Sequence, residues 1–138
     1  MAIPSSAQAR RFYRAAKQRF DDALLLLEME RTTAAVYLAG YSVECILKAL
    51  ILSAVPRVQE AELLGMFRGA RAHDYEWLMH LYTEKGGAGM PPHVVPHFVR
   101  VNSWSTDMRY APGTIVAREA HAFVDAAAAI ITWADGRL

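Results

Sequence analysis

The run from Thr32 to Val55 constrains this chain more than any other part of it. Nearly every position there is apolar or small, and no proline interrupts it before Pro56. It therefore reads as one long helix to about Ser53, with Thr32 or Thr33 as its N-cap. By length such a helix reaches across a bilayer. Glu44 and Lys48, near its middle, argue against that placement, since each costs about 2.5–3.5 kcal/mol at a bilayer centre. Four residues apart, they share a helix face and can pair. The run is expected to be the buried central helix of a globular domain, with no membrane involved. Ala35, Ala39 and Ser42 let a neighbouring helix approach closely, while Val43, Ile46, Leu47, Leu50 and Ile51 supply bulk.

Helical spacing extends along the rest of the chain. Phe12, Ala16, Phe20, Ala23, Leu24 and Leu27 recur at three- and four-residue steps, predicting a helix from about Ser6 to Glu30 with one buried face. Its charges run against the helix dipole: Arg10, Arg11, Arg14, Lys17 and Arg19 come first, and Asp21, Asp22, Glu28 and Glu30 follow. Such a surface is either a solvated face or a basic start kept for an acidic protein partner. A short helix is expected near 59–67. Another runs over about 75–84 behind an Asp74 N-cap, and a third over about 93–104 with Pro96 in its first turn. A last helix, capped by Thr114, reaches about Asp135. Residues 86–92 form the one clear loop, and 103–113 read as irregular. No strand pattern or repeat is present. The expectation is an all-α, up-and-down bundle of about five helices in a single domain, 1–138.

The composition agrees. At 138 residues the chain has the size of one domain, and its 54% apolar share exceeds the average of about 45–50%. A net charge of +1 lacks the strongly basic footprint of most nucleic-acid-binding domains, though a local patch remains open. Cys45 is the sole cysteine, so no internal disulfide forms, and residues 1–14 lack the apolar core of a secretory leader. A cytoplasmic location is expected.

Several chemistries find no support. Gly86, Gly87 and Gly89 are not followed by the Gly-Lys-Ser/Thr of a phosphate loop, and no buried strand precedes them. His93 and His97 have a metal-compatible spacing, but no carboxylate or cysteine joins them locally. No metal and no cofactor is expected. Cys45, set in an apolar helix, reads as an inert thiol.

Taken in order, the motifs are similar to those of the HEPN family (higher eukaryotes and prokaryotes nucleotide-binding). Ala35 through Leu50, with Val43-Glu44 and Leu47-Lys48-Ala49-Leu50, resembles the family's A-x7-V-E-x2-L-K-A-L helix. His73-Asp74-Tyr75 resembles its H-D-L element, and Trp104 with Arg109-Tyr110 its Arg-Tyr element. An alanine-rich last helix ends in Ile131-Thr132-Trp133. The likeness spans about Arg11 to Trp133 and rests on order and spacing rather than on one motif.

The resemblance implies a bundle that often dimerises. Many members are metal-independent ribonucleases of toxin–antitoxin, phage-defence and RNA-processing systems, marked by Arg, four to six residues, then His. Arginine there stabilises phosphate charge and histidine moves a proton. Other members lack the motif and bind nucleotides or partner nucleotidyltransferases. Arg68 to His73 fits the ribonuclease pattern literally but falls early. At the usual later place stands Arg109-Tyr110, with no histidine before His121, twelve residues on. The resemblance therefore implies a non-catalytic homodimer presenting a polar cleft to a nucleotide, an RNA or a nucleotidyltransferase-type partner. Lys48, His73, Arg109 and Tyr110 would line that cleft. The alternatives are a metal-independent endoribonuclease using Arg68 or Arg109 with His73, and a purely structural protein-interaction domain.

Overall fold

A computed structural model describes residues 4–110 and 112–138, apart from the Arg109 side chain. Among the described residues six α-helices make up the bundle: α1 (Ala7–Glu28), α2 (Thr32–Ser53), α3 (Glu60–Met66), α4 (Tyr75–Glu84), α5 (Val95–Val101) and α6 (Ala117–Asp135). Short 3-10 turns cover Arg57–Gln59, Ala70–His73 and Thr106–Tyr110, and no strand occurs among the described residues. Each α-helix corresponds to one of the helical segments read from the sequence, which the count of about five only approximated, and α3 and α5 are short, at seven residues each.

α1 and α2 form an antiparallel hairpin. The turn between them closes with the Arg31 N–H on the Leu26 carbonyl at 2.8 Å, and Glu30 takes a left-handed φ of 61°. α2 lies at the centre, packed on α1, α4 and α6. It is long and apolar enough to span a membrane, yet 78% of its most apolar stretch is buried within the bundle. Ala35, Ala39, Val43, Ile46, Leu47 and Leu50 face the core there, as the sequence pattern requires. Ala9, Tyr13, Ala16 and Ala23 are the buried residues of α1. Leu24, expected on that face, is 41% exposed, because the buried stripe of α1 is narrower than its apolar pattern.

The caps of two helices differ from expectation. Neither Thr32 nor Thr33 caps α2, whose N-cap is Arg31, and Thr114 does not cap α6, whose N-cap is Val116. Instead the two threonines fasten the approach to α6 against the start of α2. The Thr32 hydroxyl donates to the Ile115 carbonyl at 2.6 Å, and Thr33 Oγ1 accepts from the Ile115 N–H at 3.1 Å. Pairing a loop's polar backbone across the fold outcompeted local capping. At the other end of the bundle, Lys17 on α1 binds Asp135 on α6 at 2.7 Å.

A buried carboxylate behind a cleft histidine

Asp74 caps α4 as expected, with Oδ1 accepting from the N–H groups of Glu76 (2.9 Å) and Trp77 (3.4 Å). His73 takes no part in that cap. It closes the preceding 3-10 turn, anchored by buried Ala72, and its ring turns back toward α2. There His73 Nδ1 lies 2.7 Å from Glu44 Oε1, while Glu44 Oε2 accepts from Lys48 Nζ at 2.8 Å. Glu44 and Lys48 are 4% and 5% exposed. Two charges so deeply buried persist only as a pair with their remaining hydrogen bonds met. His73 meets the second carboxylate oxygen. The Lys48 ammonium also lies 5.4 Å from the Phe67 ring centre and 5.8 Å from that of Phe12, both within cation–π range.

This chain of contacts sets the histidine tautomer. An ionised carboxylate is an acceptor only, so Nδ1 is the nitrogen that donates, and Nε2 is the acceptor whenever the ring is neutral. The His73 side chain is 41% exposed and lines a cleft of about 340 Å³. Asp74, Tyr75 and Glu76 at the start of α4 form one wall, with Asn102, Trp104, Ser105 and Thr106 opposite. Asn102 Nδ2 donates to Glu76 Oε1 across the mouth at 2.9 Å.

An aromatic cluster supports the cleft. Trp104 stacks on Tyr75 with ring centres 5.5 Å apart and planes 12° from parallel, and it meets Tyr41 edge-on at 5.0 Å. The indole Nε1 donates to the Tyr37 carbonyl at 3.2 Å, and the Tyr75 hydroxyl donates to the Gly40 carbonyl at 2.7 Å. Gly40 is what admits this packing, since a Cβ there would overlap the Trp104 indole. Burial first, and the Glu44 charge second, raise the Tyr75 phenol well above its usual range, so it stays a donor. The same two causes push the Cys45 thiol up to about 11, which keeps it protonated and unreactive near neutral pH.

The expected site residues thus separate. His73 stands on the cleft. Lys48, expected on the cleft wall to meet phosphate, lies beneath it with its ammonium committed to Glu44. Tyr110 is 75% exposed at the end of the 3-10 turn that begins with cleft residue Thr106. The Arg109 side chain is outside the described residues. Arg68 is exposed, with no hydrogen bond to His73 among the described contacts. His121 borders a separate hollow beside Leu27 and Thr114. Among the described residues, no group of three or more histidine, cysteine or acidic side chains is placed to hold a metal. Glu76 and Asn102 were not anticipated; only folding brings residue 102 to the start of α4.

The family model described as the HEPN domain matches residues 9–137. No curated protein and no solved structure matches the chain.

Proposed function

The chain belongs to the HEPN domain family, and from that premise we propose that it is a binding domain rather than a nuclease. As a homodimer it offers the His73 cleft to a nucleotide, an RNA segment or a nucleotidyltransferase-type partner. The charge on the cleft walls carries this reading. Asp74 and Glu76 stand there, and no arginine or lysine is among the described lining residues. Phosphoryl chemistry needs cations where charge develops on the phosphate, and two carboxylates oppose that. The acceptors on these walls fit the N–H and O–H groups of a base, a sugar or a protein side chain. A phosphate would lie outward, toward Arg68, Arg71 and the Arg109-Tyr110 turn. In this scheme His73 Nε2 accepts a hydrogen bond from the ligand, and Lys48 acts only by holding Glu44.

One observation favours the endoribonuclease as the second reading. A buried carboxylate at 2.7 Å behind Nδ1 is the arrangement that orients a histidine for proton transfer through Nε2. Incubating wild type, His73→Ala and Arg109→Ala with single-stranded RNA in chelator separates the two. The binding reading expects no cleavage by any of them and weaker nucleotide or RNA binding by Arg109→Ala. Chelator-resistant cleavage by wild type, lowered about 10²–10⁴-fold in His73→Ala, would establish the enzyme instead.

A further inference from the structure

The outward face of α1 is the surface on which sequence and structure agree least with a solitary chain. Counted at 3.6 residues per turn, Arg11, Arg14, Gln18, Asp21, Asp22, Leu25, Glu28 and Met29 share one face, opposite the buried Ala9, Tyr13, Ala16 and Ala23. All eight are exposed, and Leu25 and Met29 are 57% and 62% so. The charges are sorted by sign along it. The first turn of α1 holds no acidic residue and the last turn no basic one, the reverse of what the dipole favours. The face offers them little internal compensation: Asp22 pairs with Arg19, which lies off the face, at 3.4 Å, and Arg11, Arg14, Asp21 and Glu28 have no ion pair among the described contacts.

A face that is basic at one end and acidic at the other is complementary to itself when reversed. We propose that α1 is a homodimerisation surface on which two copies of the chain pack antiparallel about a two-fold axis near Gln18. That register sets Arg14 of each copy against Asp21 and Asp22 of the other. It lays Arg11 along Leu25 and Glu28, and brings Met29 over the small Ala7. Such an interface is isologous, so every contact occurs twice and each unpaired charge gains a partner. The aliphatic stems of Arg11 and Arg14 cover the exposed Leu25 and Met29. This deepens the homodimer of the preceding reading by naming its surface. None of the eight residues on this face lines the His73 cleft, so the pairing leaves the cleft open to ligand.

Two charge variants test it by sedimentation velocity at micromolar concentration, with circular dichroism checking that each stays helical. Arg11→Glu with Arg14→Glu makes the whole face acidic, and Asp21→Lys with Asp22→Lys makes it basic. Each variant alone should dissociate at least tenfold more readily than wild type, because like charges then oppose across the axis. Mixed in equal amounts, the two should restore a dimer of one acidic and one basic copy, weakened by added salt. A wild-type monomer would overturn both this surface and the homodimer. A wild-type dimer whose affinity neither variant changes, with no preference for mixed pairs, would overturn the surface alone.

Discussion

α2 and α4 each carry an ion pair one helical turn apart, and the two pairs have little else in common. Glu44 and Lys48 on α2 lie 2.8 Å apart with side chains 6% and 7% exposed. His80 and Glu84 on α4 lie 3.3 Å apart with side chains 72% and 57% exposed, and carry opposite charges only when the imidazole is protonated. In solvent, water screens the attraction and side-chain entropy offsets much of it, leaving about 0–1 kcal/mol. In the interior neither charge can exist without the other, so the pair is obligatory even though its net contribution is small. Identical spacing therefore means a decorative contact on one helix and a fixed scaffold for His73 on the other.

Removing one member of each pair is the sharpest way to break this contrast. Glu44→Ala leaves the Lys48 ammonium buried without its carboxylate and should cost about 3–5 kcal/mol in urea unfolding. Glu44→Ala with Lys48→Met removes both charges and should recover a large part of that loss, while His73 stays untethered. If Glu44→Ala alone cost less than about 1 kcal/mol, the buried pair would not have the structural role assigned to it.

A smaller effect tests the packing that surrounds the α2 site. Gly40→Ala drives a methyl group into the Trp104 indole and threatens its bond to the Tyr37 carbonyl. Overpacking of this kind should cost about 1–3 kcal/mol and shift tryptophan fluorescence. An unaltered midpoint and spectrum would mean that Trp104 does not sit on Gly40.

The smallest effect belongs to α4. Glu84→Ala should move stability by less than about 0.5 kcal/mol at neutral pH, since the exposed pair is screened and free to rearrange. A loss as large as that of Glu44→Ala would erase the distinction between the two helices.

Much of the fold was readable because helical periodicity is local. α1, α2, α4 and α6 form near the boundaries that apolar spacing, Asp74 and Pro56 indicate, and their order carries the HEPN resemblance that the family match bears out. Capping was read less well. A threonine beside a helix start can bond its own helix or a distant loop, and Thr32 and Thr33 chose the loop at 113–115. Leu24 looked like a core residue because its spacing suits a wider buried stripe than α1 presents.

By itself the sequence determined that this chain is helical, that α2 is its central helix, that Glu44 and Lys48 share one face, and that His73 adjoins the start of a helix. Each follows from contacts within a few turns, where 3.6-residue geometry leaves little choice. Only the tertiary structure decided that Glu44 reaches His73, 29 positions along the chain, and that Lys48 points inward to steady it. It alone set Glu76 and Asn102 across one cleft mouth. Those pairings depend on how helices are placed against one another, which side-chain volumes such as the missing Cβ of Gly40 settle and local pattern does not.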